Sequence, residues 1–318
     1  MKNVSIRETF GECLVELGKE YQNIVVLDDD LASSTKCNYF CEAFPDRFFE
    51  VGIAEQNMMG IAAGLATTGK IPFVVSFGTF NSKRACDQVA ISVAYSNLNV
   101  KIVGAYSGLF SGKTGATHQA IEDLAIMRAI PNITVVVPAD AVELRQAMRA
   151  IVEYEGPTYL RVARDEYPIL FGPEYIFKIG RSYTLAEGKD ATIISCGIMT
   201  GAALEAAEKL KTEGLSVRVV NMSTLKPLDE DRLKKCAAET GAIVTAENHS
   251  IIGGLGSAVA EVLVENEPVP MARVGIRDVF GESGPDRDLY LKYGLTSDAI
   301  AHEVKKVVAR KGLFNKRI

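Results

Sequence analysis

Along this chain, short apolar runs rich in Val and Ile alternate with longer segments whose apolar residues recur at helical spacing. The short runs predict strands at residues 24–27, 72–76, 100–105, 133–137 and 159–163. Between them the pattern predicts helices over 7–20, 55–67, 82–95, 119–130 and 141–152. Several strands are continuously apolar, as strands buried on both faces of a parallel sheet are. The pattern breaks over 167–189, which holds two prolines and three glycines and no clean helical period. It then restarts, with strands at 191–195, 217–221, 242–246 and 271–274 and helices at 201–211, 229–240, 256–264 and 298–309. Alternation of this kind predicts two parallel-sheet α/β domains, 1–170 and 189–318, joined by a linker over 171–188.

Composition narrows the class of function. With 318 residues the chain can bury two cores, and a formal net charge of -5 argues against a nucleic-acid surface. No apolar run approaches the roughly 20 residues that span a bilayer, so no membrane partner is expected. Residues 1–10 lack the apolar centre of a signal peptide, and cytoplasmic residence is the expectation. The six cysteines (Cys13, Cys37, Cys41, Cys86, Cys196 and Cys236) follow no disulfide or zinc spacing. They are read as buried or idle thiols in a reducing compartment, and no metal site is predicted.

Three stretches carry candidate chemistry. In Val51-Gly52-Ile53-Ala54-Glu55-Gln56-Asn57-Met58, Glu55 falls in the first turn of a predicted helix, where the dipole favours a carboxylate. Gly60, Ala62, Ala63 and Gly64 follow, a composition that predicts close packing around it. The second stretch, Ser76-Phe77-Gly78-Thr79-Phe80, puts two aromatics at the carboxyl end of a strand, the edge where ligands bind in open α/β sheets. The third is the loop Ser107 to Gln119. Its Gly112-Lys113-Thr114 tempts a phosphate-loop reading, but the required first glycine falls on Ser107. What remains is a glycine-rich loop ending in the titratable His118.

Together and in this order, the three stretches resemble the pyrimidine-binding domain of transketolases. The resemblance continues through Arg84-Ala85-Cys86-Asp87-Gln88, Ile130-Pro131-Asn132 and Gly156-Pro157-Thr158. In the second domain it runs through Leu225-Lys226-Pro227-Leu228, Ala246-Glu247-Asn248-His249 and Gly253-Gly254-Leu255-Gly256. It implies that Glu55 hydrogen-bonds the pyrimidine ring of thiamine diphosphate, with Phe80 stacked on the ring and Phe77 beside it. It further implies that Arg7 and Arg164 hold a substrate's terminal phosphate, that Ser34 contacts the same group, and that His118 meets the sugar hydroxyls. The sequence departs from the family twice: Tyr106 stands where a histidine is usual, and Thr114 where an acid reads the acceptor, with Lys113 beside it. The departures predict that the acceptor or donor is not a standard pentose phosphate, and an anionic tail such as phosphate or sulfonate stays compatible with the resemblance.

Full transketolases open with a further domain that holds Mg²⁺ and the diphosphate through a Gly-Asp-Gly motif. No Gly-Asp dipeptide occurs here. The expectation is a separate diphosphate-binding subunit that carries the Mg²⁺, paired with this chain in an α2β2 assembly, without which this chain is inactive. The second domain offers no residue for catalysis: Gly253-Gly254-Leu255-Gly256 reads as tight helix packing, His249 as structural and His302 as an exposed helix residue. Alternatives are the beta subunit of a 2-oxo acid dehydrogenase, a deoxyxylulose phosphate synthase (normally one long chain), and a non-catalytic regulatory paralogue. Intact Glu55 and Phe80 argue against the last.

Overall fold

The computed structural model describes residues 3–109 and 112–314, so Phe110 and Ser111 of the glycine-rich loop lie outside the described residues. Its strands are β1 (Asn3–Ser5), β2 (Ile24–Asp28), β3 (Phe48–Glu50), β4 (Ile71–Phe77), β5 (Lys101–Ala105), β6 (Thr134–Val136) and β7 (Thr158–Val162). They continue as β8 (Glu166–Pro168), β9 (Tyr183–Ala186), β10 (Ala191–Ser195), β11 (Val217–Asn221), β12 (Thr224–Lys226), β13 (Ile243–Ser250) and β14 (Met271–Ile276). One sheet has the order β12-β6-β7-β5-β4-β2-β3 and another β14-β13-β10-β11-β9, while β1 and β8 form a separate ribbon. Both sheets are parallel except at β12 and β9, which pair antiparallel at their edges.

Alternation along the central strands sends successive side chains to opposite faces. Ile24, Val26, Phe73, Val75 and Val103 pack beneath the helices Ile6–Glu20 and Ala141–Glu153. Val25, Leu27, Val74 and Ile102 pack with Met58, Met59 and Ala62 of the helix Glu55–Ala66, in a core that runs on to Ile194, Val220 and Leu225 beyond β9. The helix starts have chemical causes. Ser5 accepts the Glu8 N–H and Asp140 the Glu143 N–H, each satisfying a first-turn donor that has no partner within the helix.

Four expectations are corrected. The helix expected over 82–95 is two widened turns, Phe80–Arg84 and Val89–Ala94, flanking Cys86–Gln88. Buried Asn81 donates to the carbonyls of Val74 and Val103 (3.2 and 2.9 Å), which draws the first turn onto the middle of β4 and β5. The helix expected from 119 begins at Asp123, because the Gln119 side chain donates instead to the carbonyl of Glu282. Strand β9 lies inside the segment read as a linker and pairs with β11. Gly60 and Gly64 are exposed, and a Cβ on either would meet nothing within 4 Å, so no described residue packs against them. Among the described residues no helix is long and apolar enough to cross a membrane.

Candidate active site

Parallel strands place their carboxyl ends side by side, which brings Asp28 of β2, Phe77 of β4 and Ala105 of β5 to one edge of the larger sheet. Above that edge is a cleft of about 420 Å³ whose walls include Asp29, Ile53, Glu55, Phe80, Arg84 and His118. Glu55 opens its helix and is only 2% exposed. One of its oxygens is bonded by Arg84 at 2.5 Å, and that arginine is itself half exposed. The Arg84 guanidinium also lies 4.8 Å from the centre of the Phe80 ring.

Aromatic rings floor the site. Phe77 stacks on Phe80 with centroids 5.9 Å apart and on Tyr106 at 4.3 Å, and His118 meets Phe80 edge-on at 5.3 Å. Thr117 Oγ1 lies 2.9 Å from His118 Nδ1. Tyr106 follows β5 in a left-handed conformation, φ 55°, which a residue with a Cβ adopts only when its surroundings hold it there. Arg7 does part of the holding, donating to the Tyr106 hydroxyl at 2.7 Å and to the Ser34 carbonyl at 3.3 Å. The Arg164 guanidinium lies 5.4 Å from the Tyr106 ring centre. Thus Glu55, Phe80 and His118 share the cleft, Phe77 links it to Tyr106, and Arg7, Ser34 and Arg164 gather around Tyr106. Lys113 and Thr114 are exposed on the turn Gly112–Thr114, whose Gly112 is buried, on the loop between β5 and His118.

The second domain, read as offering no residue for catalysis, reaches this loop through hydrogen bonds. Asn248 Oδ1 accepts the Leu109 N–H at 3.2 Å, and Asp286 Oδ1 the Gly112 N–H at 3.1 Å. Beneath the loop, buried Asp123 pairs with buried Arg161 at 2.9 Å, and Arg161 also donates to the carbonyls of Ala120 and Asn248. His249 is fully buried in this network and burial pushes it down to about 4, so it is neutral near pH 7. His302 is exposed on the last helix. The glycines of Gly253-Gly254-Leu255-Gly256 serve an anchored helix start: Glu247 accepts the N–H groups of Leu255 and Gly256 at 2.7 and 2.8 Å.

Sequence reasoning missed the partners Arg84, Asn248 and Asp286, and it missed Asp29. A run of three acids at the end of an apolar strand was the available signal for Asp29. Asp29 is 2% exposed; Ser76 donates to its Oδ2, and its Oδ1 has no hydrogen-bond partner among the described residues. Burial, aided by the charges of Asp28 and Glu55, pushes it from 3.8 to about 7. Below the lower value both folded and unfolded chains hold this proton. Between the two only the folded chain does, so stability falls as pH rises through that window. Asp29→Asn is therefore expected to raise the melting temperature at pH 8, with the gain shrinking toward pH 4. An equal gain at both ends, measured by calorimetry, would contradict this.

The chain matches known protein families. The model of the transketolase pyrimidine-binding domain matches residues 2–169, and that of the transketolase C-terminal domain residues 180–300. A protein of Methanocaldococcus jannaschii named as a transketolase C-terminal section is 48% identical, covering 94% of this chain and 95% of its own. A 6-deoxy-6-sulfo-D-fructose transketolase subunit of Clostridium sp. is 46% identical, covering 96% and 95%. One of the subunits of an apulose-4-phosphate transketolase, from Phocaeicola vulgatus, is 37% identical, covering 96% and 98%. A solved split-gene transketolase, described as an inactive β4 tetramer, superposes with a TM-score of 0.91 at 52% identity, covering 97% of this chain and 99% of that one. Rat transketolase is matched over only 49% of its length, and these relatives do not favour a 2-oxo acid dehydrogenase component. The chain belongs to the transketolase family, and it aligns end to end with the subunits of two-chain transketolases rather than with the whole of a single-chain enzyme.

Proposed function

We propose that this chain is the pyrimidine-binding subunit of a two-chain transketolase, which moves a two-carbon ketol unit from a ketose with an anionic tail to an aldose. The observation that carries the reading is Glu55, a carboxylate 2% exposed in the wall of an aromatic cleft. Family membership implies thiamine diphosphate, and the donor set suits it. A protonatable ring nitrogen matches the buried Glu55 carboxylate, a flat heterocycle matches the Phe80 face, and the unpartnered Asp29 oxygen leaves a polar group unsatisfied beside the same cleft. When bound, the cofactor supplies the electron sink for breaking the bond next to the ketose carbonyl.

The chain's residues then divide the remaining work. Glu55 would hold a proton against the pyrimidine ring nitrogen, and Phe80, backed by Phe77, would offer the ring a flat aromatic face. His118, edge-on to Phe80, exchanges a proton with a sugar hydroxyl at the mouth of the cleft. Arg7 and Arg164 grip the anionic tail, because a planar guanidinium presents paired donors to a tetrahedral oxyanion. Ser34 lies with them. Tyr106 spaces the two arginines, and with Lys113 and Thr114 it sets which sugar is accepted. The names of two relatives support an anionic tail, one naming a sulfonated ketose and the other a phosphorylated one.

A partner subunit holds the diphosphate and its Mg²⁺, and two such pairs form an α2β2 assembly. Relatives named as subunits and sections support this reading. So does the surface around Glu55: Ile53, Ile61, Ile91 and Tyr95 are exposed, and Gly60 and Gly64 lie open on the Glu55 helix. Apolar surface grouped beside a catalytic cleft suits a packed interface. The test is ketol transfer with thiamine diphosphate and Mg²⁺, by this chain alone and mixed with a diphosphate-binding subunit. Transfer is expected only in the mixture. Transfer by the chain alone would overturn the partner requirement, and turnover of a 2-oxo acid in place of a ketose would overturn the reaction.

A further inference from the structure

Beside the two arginines assigned to the substrate's tail, the second domain contributes a carboxylate. Asp286 opens the helix Asp286–Tyr293, whose amino end favours a negative charge. Its Oδ1 accepts the Gly112 N–H at 3.1 Å, and the Gly284 N–H donates to the Gly112 carbonyl at 2.9 Å. A Cβ at residue 112 would collide with the Gly284 carbonyl oxygen, so only glycine lets the loop rest against this helix. The other carboxylate oxygen, Oδ2, is 3.9 Å from Arg164 Nη1, and Asp165 Oδ1 is 3.9 Å from Arg164 Nε.

The charged groups around Arg164 therefore nearly cancel. Arg7 and Arg164 supply two positive charges, Asp165 and Asp286 supply two carboxyls, and the neutral hydroxyls of Tyr106, Tyr167 and Tyr290 lie among them. Burial is the main cause that pushes Asp165 upward, with Asp286 adding to it. Any anion entering here is attracted by the guanidiniums and repelled by Asp286. Coulomb repulsion is proportional to the ligand's charge, so Asp286 opposes a dianion twice as strongly as a monoanion.

We propose that Asp286 is a specificity-determining residue that biases the site against doubly charged tails, such as a phosphate monoester, and toward singly charged ones, such as a sulfonate. The inference rests on the assignment of Arg7 and Arg164 as the anion site. Asp286→Asn keeps an oxygen for the Gly112 N–H and removes the charge. In the two-chain enzyme at pH 8, where a phosphate monoester is a dianion, kcat/KM is compared for a ketose ending in phosphate and the same ketose ending in sulfonate. The variant is expected to gain about threefold with the sulfonate and about tenfold with the phosphate, less at high salt. Equal changes for both substrates would mean that Asp286 only anchors the loop, and would overturn the proposal. If neither sugar is turned over, the proposed reaction fails, and the charge effect is read separately from thermal shifts of this chain with methyl phosphate and methanesulfonate. A larger gain with methyl phosphate than with methanesulfonate in the variant upholds the assignment, and equal gains overturn it.

Discussion

Glu55→Gln is expected to reduce ketol transfer by the two-chain enzyme about 10³-fold, within the range that a positioned proton-transfer group contributes. Glutamine keeps the volume of the side chain and an oxygen for Arg84, which bonds Glu55 at 2.5 Å, but it cannot exchange a proton with a ring nitrogen. The fold should survive, because the Glu55 side chain is held by one half-exposed arginine rather than by a closed network. Two measurements bear on this: turnover, and cofactor binding followed by fluorescence quenching. A variant that binds the cofactor and keeps more than a tenth of the activity would remove Glu55 from the proton path.

The second large effect is on stability. Asp123→Ala is expected to cost about 3–5 kcal/mol, because it leaves the Arg161 guanidinium buried without its counter-charge. Asp123 is 1% exposed and Arg161 6%, and the same carboxylate accepts the Tyr159 hydroxyl at 2.7 Å. For a chain of this size the melting temperature should fall by roughly 5–8 °C. Since Arg161 also holds the carbonyls of Ala120 and Asn248, the loss should loosen the loop that carries His118. Calorimetry on the purified chain would test this, and a fall of only a degree or two would show that Arg161 finds another partner or water.

Much of the architecture is legible from local pattern. Strands at 191–195 and 217–221 fall where the alternation puts them, and the Glu55 helix ends within one residue of its expected limit. Expectation fails where tertiary contacts override local preference. Apolar spacing over 82–95 reads as one helix, but Asn81 trades helical regularity for two carbonyls of the central strands β4 and β5. Gln119 likewise leaves its helix to bond Glu282, 163 residues away. At the site, Glu55, Phe80 and His118 can be found because each sits in a local motif. Asp286 cannot: it is an ordinary helix-start acid, and its meaning comes only from Arg164 and Gly112 approaching it in space. Gly60 and Gly64 are small residues that invite packing, but the surface they invite is not among the described residues of this chain.

Strand β12 belongs by sequence to the second domain, yet it completes the first domain's sheet by pairing with β6. A gene cut between the two domains would leave β6 with a bare row of amide and carbonyl groups, a template for misassociation. The seam between the domains is therefore a poor place to divide this protein. Truncation, domain exchange or evolutionary fission at that point must first find a new cover for the β6 edge.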